Sequence, residues 1–398
     1  MMSQASPAIL QSAPPVKAAA KSRGPRILFF SGGSAFEAAA RELTAYTHNG
    51  VYLVTPFDSG GSSATLRQAF GMPAVGDIRF RIMTLADQAK EGHTPVYRLF
   101  AHRLPEDAPQ KDLCRELVRI IRGTHPLIKC VPNPMNEIIR EHMAWFTLFM
   151  PVDFPLAGAS LGNIAITAGY LRHGRRLTPS IALFSRMVRA RGVVRPVVDS
   201  TAHLAVRLRN GRVIVGQHLF TGKSGKAIES PIDAIWLTDN LDSDTPIELG
   251  LLDKTARLIR NADAICYPMG SFYSSIIANL LPNGVGCAVA DCPSPKIFIP
   301  NLGHDPELLG HDLRAQIQCL LDTLRRDVPG ADIRDVLTHI IIDARNGQYD
   351  GSIPFEWLKE LGVQVVDARL VTPEKGPMAQ PGPVVTEIMR ITRMFLGN

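Results

Sequence analysis

Short apolar runs that end near glycine or proline alternate with helical stretches along most of this 398-residue chain. The first two runs are RILFF at 26–30 and VYLV at 51–54, and a helix is predicted between them at 35–46. Such alternation is typical of parallel strands, because neighbouring parallel strands need a long crossover connection that is usually helical. The sequence therefore predicts an α/β fold with a mostly parallel sheet.

The rest of the chain continues this pattern with two additions. A helix-rich insertion is predicted at about 77–191. The stretch LAVRLRNGRVIVG at 204–216 predicts a β-hairpin, because Asn-Gly between alternating strands favours a type I′ turn. Further buried strands are predicted at 232–238, 262–268, 284–290, 296–300, 339–343 and 363–368, and further helices at about 250–261, 272–281 and 308–326 and from about 384.

The N-terminal residues differ in composition from the rest. Residues 1–25 are rich in Ala, Ser, Pro and Gln, contain no acidic residue and lack a continuous apolar segment. They are predicted to be a disordered tail rather than a signal peptide. No linker divides the chain after this tail, so residues 26–398 are predicted to form a single α/β domain.

The overall composition argues against a membrane protein. Hydrophobic residues make up 45% and aromatic residues 7% of the chain, as in ordinary globular proteins. No apolar run reaches about 18 residues, so a transmembrane helix is not expected. The six cysteines form no C-x-x-C pair and no zinc-type spacing, and we interpret them as reduced thiols. These features predict a cytoplasmic protein without a membrane partner.

Positive charge is concentrated in one segment. The formal net charge is +6, and no acidic residue occurs between Asp153 and Asp199. The segment lacks interleaved aromatic residues and any known DNA- or RNA-binding motif, so a nucleic-acid partner is not expected. It is either a solvated helical face or a basic wall for an anionic small molecule or an acidic partner. The arginines concerned are Arg172, Arg175, Arg176, Arg186, Arg189, Arg191 and Arg195.

The order strand, glycine turn, helix occurs three times, at 31–34, 58–63 and 270–271. In a parallel sheet these turns meet at the carboxyl edge, where ligands bind at a switch in strand order. Glycine allows the backbone to approach a ligand, and the free N–H groups at the start of the next helix favour an anion. A single Gly-Gly is more often a simple turn, but three turns placed alike indicate a phosphate-binding edge.

Asp58 lies at the end of a predicted strand, next to donors suited to phosphate. A carboxylate would repel phosphate, so it would hold a metal ion, act as a general base or bind a substrate hydroxyl. The alternative is an Asx-turn or the N-cap of the helix that is predicted to begin near Ser63. Asp77 is an equally good cap for the following helix.

Four other side chains are candidates for the same site. Arg67 and Arg79 are either bidentate phosphate contacts or surface arginines. Asn163 lies in an apolar small-residue helix, where a buried amide needs a partner that a ligand could provide. Asp199 follows a strand and precedes the hairpin, where an aspartate is also common as a turn residue.

Several blocks, in order within residues 30–345, resemble the CofD/YvcK superfamily. The stretch GGSSATLRQAFGMPAVGDIRFRIMTLAD at 60–87 resembles the GGSSG-type turn of the family followed by L-R, F-G, P and GDIRN. The pair GN at 162–163, RPVVDSTAHL at 195–204 and GSFYSSIIANLL at 270–281 match further family blocks. The ordering of the blocks makes the match specific.

The resemblance implies a Rossmann-like core with an added helical subdomain, and a homodimer. Our first hypothesis is a CofD-like transferase, which uses Mg to move a 2-phospho-L-lactate-like group from a nucleotide diphosphate carrier to an acceptor hydroxyl. The alternative is a YvcK-like, non-catalytic protein that binds nucleotide sugars and regulates carbon metabolism or cell-wall synthesis. Both alternatives imply a nucleoside diphosphate-linked small molecule as the ligand.

The resemblance also implies roles for individual residues. Asp58 and Asp77 would be catalytic, with Asp58 orienting or deprotonating the acceptor hydroxyl, and Asp58 and Asp199 would hold Mg. Together with the glycine turns, it predicts contacts to the nucleotide-linked ligand from Gly32, Gly33, Ser34, Gly60, Gly61, Ser62, Ser63, Arg67, Arg79, Asn163, Gly270, Ser271, Tyr273, Ser275 and Asn279.

The sequence departs from the family pattern at three places. Phe57 stands where the family often has the first of two acids, SGGSA at 31–35 replaces a GGGTG-type turn, and Pro268-Met269 replaces Gly-Pro. The loss of one carboxylate weakens the case for metal-assisted chemistry, because a single carboxylate holds Mg poorly.

Overall fold

Ten strands form two sheets in the computed structural model, which describes residues 24–87, 94–222, 227–372 and 379–397. The predicted tail at 1–25 lies almost wholly outside the described residues. In chain order the strands are β1 (Ile27–Ser31), β2 (Val51–Val54), β3 (Val193–Pro196), β4 (His203–Leu208), β5 (Val213–Val215), β6 (Ile232–Thr238), β7 (Ala264–Tyr267), β8 (Lys296–Phe298), β9 (His339–Ile342) and β10 (Gln364–Asp367).

The larger sheet has seven parallel strands in the order β10-β9-β8-β7-β1-β2-β3. Numbered among themselves, these strands follow the Rossmann order 3-2-1-4-5-6 with one strand added. The direction of winding reverses between β1 and β7. The predicted α/β fold is confirmed, and the three glycine turns follow the adjacent strands β7, β1 and β2.

Helices cover both faces of this sheet, and the described chain between β2 and β3 is helical without strands, as predicted for the insertion. The helices are α1 (Glu37–Leu43), α2 (Gly61–Phe70), α3 (Gly76–Thr84), α4 (Thr94–Ala101), α5 (Gln110–Ile121), α6 (Pro126–Lys129), α7 (Met135–Phe149), α8 (Leu161–Arg172), α9 (Leu177–Met187), α10 (Asp253–Arg260), α11 (Ala278–Leu280), α12 (Val285–Ala290), α13 (Leu313–Arg325), α14 (Ile333–Val336), α15 (Phe355–Glu360) and α16 (Pro381–Leu396).

The smaller sheet is antiparallel, with the order β5-β4-β6. The predicted hairpin at 204–216 is confirmed as β4 and β5, with Ala205 opposite Val215. The predicted type I′ turn is wrong, because that turn needs positive φ at both Asn210 and Gly211, and only Gly211 has it, at +86°. Leu208 N donates to Arg212 O at 2.8 Å, so the strands are joined by a three-residue loop with glycine at its left-handed position. The segment that follows β5 forms a 3-10 turn over Gln217–Leu219.

The strand predicted at 284–290 is wrong. Residues Val285–Ala290 form α12, which begins after Gly284 in the left-handed conformation. A short apolar run between glycines has no periodicity that separates a buried helix from a buried strand. The helix predicted at 272–281 is present, but its first part, Phe272–Ile277, is π-helical.

The two faces of the large sheet bury two apolar cores. Successive residues of β1 alternate between them, with Ile27 and Phe29 in one core and Leu28 and Phe30 in the other. Strands buried on both faces have continuous apolar sequences, which is why β1 and β2 were recognisable in the sequence. None of the described helices is long and apolar enough to cross a membrane.

Candidate functional site

A cavity of about 840 Å³ lies beyond the carboxyl end of β2, between the insertion and the segment after the hairpin. Its volume is in the range of small-molecule sites. Five chain segments line it. The lining residues are Asp58, Gly60, Gly61, Ser62, Ser63, Thr65, Leu66, Gly76, Asp77, Arg79, Phe80, Arg103, Glu106, Phe154, Pro155, Ala157, Gly158, Ala159, Ser160, Asn163, Ile164, Gln217, His218 and Thr221.

Three helices begin at this cavity. First-turn residues of α2 (Gly61), α3 (Gly76) and α8 (Asn163) all line it. The first N–H groups of a helix lack partners within the helix, and the helix dipole makes this end positive. Ser160 satisfies one donor of α8 by accepting Asn163 N at 3.4 Å. The convergence of three helix starts favours an anionic ligand.

Arg79 and Arg103 add positive charge to the same cavity. Burial lowers the pKa of Arg79 to about 10, and the neighbouring Arg103 contributes to this lowering. The group remains protonated at neutral pH. Its Nε is buried and has no hydrogen-bond partner among the described residues. Arg79 is therefore a cation that an anionic ligand would satisfy.

Asn163 and Ser62 join two of the helix starts. Asn163 is almost fully buried, and its Nδ2 donates to Ser62 Oγ at 3.1 Å. Its Oδ1 is buried and unpaired within the described part of the chain. An unpaired buried acceptor costs about 1–3 kcal/mol. A donor on a bound ligand would remove that cost.

Two predicted catalytic carboxylates reach the cavity. Asp58 Oδ1 accepts a hydrogen bond from Gly60 N at 3.0 Å, so Asp58 forms the Asx-turn that was one of the predicted alternatives. Asp58 does not cap α2, whose N-cap is Gly60. Asp77 lies within the first turn of α3 and does not cap it. A Cβ on Gly33 would lie 2.7 Å from Asp77 Oδ1, so the first glycine turn packs against this carboxylate.

Asp58 and Asp77 would supply only part of the coordination shell of a magnesium ion. In nucleotide sites Mg²⁺ takes one or two carboxylates and completes its shell with water and phosphate oxygens. Asp58 and Asp77 fit that requirement for a metal that arrives with phosphates. Over residues 24–87, 94–222, 227–372 and 379–397, no three His, Cys, Asp or Glu side chains are grouped to hold a metal.

Asp199, the second predicted metal ligand, has a different position. Its Oδ2 accepts Leu177 N at 3.1 Å, at the start of α9. Burial raises the pKa of its carboxyl, and this hydrogen bond offsets part of the rise. Asp199 is not among the residues that line the cavity. The structure does not bring Asp199 to the cavity with Asp58.

Arg67 is buried and binds backbone carbonyls. Nη1 donates to Phe57 O and Asp58 O, both at 3.1 Å, and Nη2 donates to Ala202 O at 2.7 Å. His203 Nε2 lies 2.9 Å from Nη2. Burial lowers the pKa of Arg67 to about 10, and Asp58 counteracts this. In this arrangement Arg67 fixes the turn after β2 to the loop before β4.

The first glycine turn is also held from inside. Arg81 is fully buried, and its Nη2 donates to Gly32 O at 3.0 Å and Gly33 O at 2.9 Å. The turn packs against the π-helical segment so closely that a Cβ on Gly32 would overlap Ser275 Oγ. Ser34 is exposed. Gly32, Gly33 and Ser34 lie outside the set of residues that line the cavity.

Carboxyl groups of this chain accept hydrogen bonds from the backbone that follows the third glycine turn. Asp305 Oδ2 accepts Phe272 N at 2.9 Å, and Glu307 accepts Ser274 N at 2.8 Å and Ser274 Oγ at 2.5 Å. Asn301 Oδ1 accepts Gly270 N at 2.8 Å. Four further predicted contacts lie here: Ser271, Tyr273, Ser275 and Asn279. Ser271 is partly exposed. Tyr273 Oη lies 3.0 Å from His311 Nε2, and Asn279 Nδ2 donates to Ser31 O at 3.2 Å.

The predicted ligand contacts thus fall into two groups. One group lines the cavity: Gly60, Gly61, Ser62, Ser63, Arg79 and Asn163, with Asp58 and Asp77. The other group lies where β1 and β7 are adjacent. Arg67 belongs to neither group, because it binds the backbone carbonyls described above. Whether any of these residues binds a ligand stays a prediction.

Sequence reasoning missed several groups that line the cavity. Arg103 and Ser160 belong to loops without a motif, although Ser160 followed by Asn163 has the pattern of an N-cap. Gln217, His218 and Thr221 follow the hairpin in a segment without periodicity. Arg81, which holds the first turn, lies within the block at 60–87, but no local pattern indicates its contact with that turn.

The arginine-rich segment is separate from the cavity. Arg172 pairs with Glu141 at 3.1 Å, Arg191 pairs with Asp87 at 2.6 Å, and Arg175 donates to Phe70 O at 2.7 Å. None of its seven arginines is among the residues that line the cavity. This favours a solvated face over a wall for a small anion.

These features define a class of protein: an α/β protein of Rossmann strand order, with a cavity beyond the carboxyl end of β2 at which three helices begin. The family described as "2-phospho-L-lactate transferase CofD" matches residues 27–371. The chain belongs to the CofD family.

Its relatives include the gluconeogenesis factor of Bacillus subtilis, 26% identical over 364 residues that cover 87% of this chain and 92% of the relative. The gluconeogenesis factor of Halalkalibacterium halodurans is 24% identical, over 79% of this chain and 77% of that protein. The crystal structure of a UPF0052 family member from Bacillus halodurans has a TM-score of 0.67 at 21% identity, and covers 92% of this chain and 99% of that one. This likeness shows the shared fold.

Proposed function

We propose that the cavity binds the diphosphate of a nucleotide-linked small molecule, and that the protein is a YvcK-type ligand-binding regulator. One observation carries the proposal: the starts of α2, α3 and α8 converge with Arg79 on one cavity. A diphosphate spreads its charge over two phosphoryl groups, so it can use more than one helix start at once.

Two observations support binding without turnover. Phe57, at the position where the family often has an acid, is fully buried in the core that contains Phe30. Position 57 therefore does not add a carboxylate to the cavity. The relatives named above carry the name gluconeogenesis factor.

A second candidate is the CofD-type transferase, and the shared position of Asp58 and Asp77 favours it. Magnesium would supply charge neutralisation at the transferred phosphoryl group. Asp58, held by the hydrogen bond from Gly60 N, would orient the acceptor hydroxyl or accept its proton.

Isothermal titration with guanosine and uridine diphosphates and their sugar conjugates, with and without Mg²⁺, tests the proposal. We expect binding without Mg²⁺ and no chemical change in the ligand after prolonged incubation. Arg79→Met should weaken binding, whereas Arg115→Met should not, because Arg115 is an exposed arginine paired with Asp112 on α5. Absence of binding to all these ligands would refute the proposal.

The transferase alternative has a separate test. Product formation from a nucleotide-linked phospho-carboxylate and an acceptor hydroxyl, dependent on Mg²⁺ and abolished by Asp58→Asn, would replace the regulator with the enzyme. If Asp58→Asn retains turnover, Asp58 is not the base.

A further inference from the structure

Each of the three helices that begin at the cavity also supplies an apolar side chain to it. These side chains are Leu66 on α2, Phe80 on α3 and Ile164 on α8. The cavity therefore has two parts: helix starts with Arg79 for an anion, and an apolar wall formed by later residues of the same helices. A bare diphosphate would use the first part and leave the apolar wall in contact with water.

Phe154 connects this apolar wall with the end of α7. It lines the cavity, and its ring is buried, with its centroid 5.9 Å from that of Phe70 and 5.6 Å from that of Phe146. Phe154 N donates to Pro151 O at 3.1 Å, which forms a tight turn between α7 and the cavity. The position of the Phe154 ring is thus fixed by packing on one side of this turn.

Three large apolar side chains lie in solvent just before this turn ends. Leu148 and Phe149, at the end of α7, are 73% and 52% exposed, and Val152 is fully exposed. We call these three residues the 148–152 rim. A single residue separates Val152 from Phe154, so their Cα atoms are at most about 7 Å apart. Exposed apolar residues that are scattered singly are normal, whereas a cluster beside a cavity indicates an interaction site.

The charges around the rim argue against a membrane surface as its partner. No Lys or Arg occurs between Glu141 and Leu171, and Asp153 lies beside Val152 in an exposed position. Segments that bind membrane surfaces usually combine apolar residues with Lys and Arg. The cavity wall, in contrast, continues into the rim through Phe154. This continuity makes the apolar part of a molecule bound in the cavity the best match for the rim.

We propose that the cavity also accepts a second class of ligand, a diphosphate that carries an apolar chain, such as an isoprenoid diphosphate. The inference rests on the diphosphate site of the proposed function, but not on the nucleotide. The diphosphate lies at the three helix starts, and the chain follows Phe80 and Phe154 to the 148–152 rim. Both apolar surfaces then lose contact with water, which favours binding. A hydroxyl or carboxylate in the place of this chain would lose its hydrogen bonds to water without replacement.

Isothermal titration with inorganic pyrophosphate, dimethylallyl diphosphate and farnesyl diphosphate tests the inference. We expect the wild type to bind farnesyl diphosphate at least about 30-fold more tightly than pyrophosphate. The triple variant Leu148→Ser/Phe149→Ser/Val152→Ser should reduce this ratio by about tenfold. Dimethylallyl diphosphate, whose short chain should end inside the cavity, should bind the triple variant and the wild type equally.

Two further variants make the test specific. Met394→Ser/Phe395→Ser/Leu396→Ser is the matched control, because these exposed apolar residues end α16 and are not among the residues that line the cavity. It should keep the full ratio, and an equal loss in this control would overturn the inference. Val152→Ser changes only the fully exposed position, so it serves if the triple variant does not fold, and it should reduce the ratio by about threefold.

The outcomes separate this inference from the proposed function. If the wild type binds neither pyrophosphate, nor the nucleotide diphosphates, nor farnesyl diphosphate, both fail. If it binds the nucleotide diphosphates, but farnesyl diphosphate no more tightly than pyrophosphate, only the inference fails. If it binds farnesyl diphosphate and no nucleotide, the nucleotide part of the proposed function fails and the inference stands. The inference also fails if the folded triple variant keeps the full ratio, including the case in which it loses self-association or binding to phospholipid vesicles instead.

Discussion

Asn163 Nδ2 donates to Ser62 Oγ across 3.1 Å, which connects the first turn of α8 to the first turn of α2. The two residues are 101 positions apart in the chain. This bond sets the spacing of two positive helix ends at the cavity, so the site depends on a contact between the insertion and the turn after β2.

Asn163→Ala should therefore weaken binding of the diphosphate ligand. Loss of this hydrogen bond and of the unpaired Oδ1 should cost about 1–3 kcal/mol of binding free energy, or about 5–150-fold in affinity. Isothermal titration measures the change. Asn136→Ala is the matched control, because Asn136 donates to Ile128 O at 2.7 Å, outside the set of cavity-lining residues. Equal affinities for Asn163→Ala and the wild type would show that the Asn163 amide does not contribute to ligand binding.

Arg79→Met should weaken the same binding by about 10–100-fold, because a charge-assisted contact contributes about 1.5–3 kcal/mol. The affinity of the wild type should fall with added salt, and the variant should show a shallower fall because one charge pair is gone. Titrations at two salt concentrations give both quantities. A variant with the wild-type salt dependence would place Arg79 outside the ligand contact.

Arg67→Met should act mainly on stability. It leaves the buried carbonyls of Phe57 and Ala202 without their donors, which should lower the free energy of unfolding by about 3 kcal/mol. Urea unfolding measures this, with Arg41→Met as the control, because the exposed Arg41–Glu37 pair contributes less than about 1 kcal/mol. The opposite pattern, unchanged stability with lost ligand binding, would support the predicted phosphate contact.

Glu307 should make stability depend on pH. Burial raises the pKa of its carboxyl to about 7, and the neighbouring Asp305 contributes to this rise. The folded chain therefore holds this proton more tightly than the unfolded chain, whose glutamates titrate near 4.5. Its contribution to stability is fully present below about pH 4.5 and is lost as the pH rises through about 7.

Glu307→Gln cannot lose that proton. Its free energy of unfolding, relative to that of the wild type, should increase between pH 5 and pH 8 by an amount on the order of 2 kcal/mol. Buried histidines such as His203, whose pKa burial lowers to about 4, titrate in both proteins and cancel in the difference. Urea unfolding of both proteins at pH 5 and pH 8 measures this change. The prediction is contradicted if the difference in free energy of unfolding between Glu307→Gln and the wild type is the same at both pH values.

Phe57→Asp should not restore a two-carboxylate metal site. Phe57 is fully buried in the apolar core, so the substitution should cost about 3–5 kcal/mol of stability. Phe57→Leu should cost less, about 1–2 kcal/mol. Unfolding curves with and without Mg²⁺ test both points. A Mg²⁺-dependent gain in the stability of Phe57→Asp would show that position 57 can reach the cavity.

The fold could be predicted from the sequence because the patterns that specify strands and turns are short and local. Strands such as Val51–Val54 are short apolar runs, and Asn210-Gly211 specifies a hairpin turn. The turn after β2 and the buried amide of Asn163 could also be recognised, because glycines after a strand and an amide in an apolar helix are unusual. The error at 284–290 arose where the local pattern fits both a strand and a helix.

The rest of the site depends on contacts between distant segments. The carbonyls bound by Arg67 lie up to 135 positions away, so its sequence neighbourhood does not separate a structural arginine from a phosphate contact. The carboxylates at the third turn lie 33 positions beyond it. His218 reaches Ser59 across 159 positions. No periodicity or motif in a single sequence predicts these pairs.

The position of β1 between β2 and β7 has a consequence for synthesis of the chain. Arg26 N, just before β1, donates to Asp263 Oδ2, 237 residues later. At about 5–20 residues per second, the ribosome needs roughly 10–50 s to produce the strand that covers this side of β1. During that time β1, whose residues Ile27–Phe30 are apolar, has one unpaired edge, and such an edge is a site for aggregation. Both edges of β1 can be paired only after β7 has emerged.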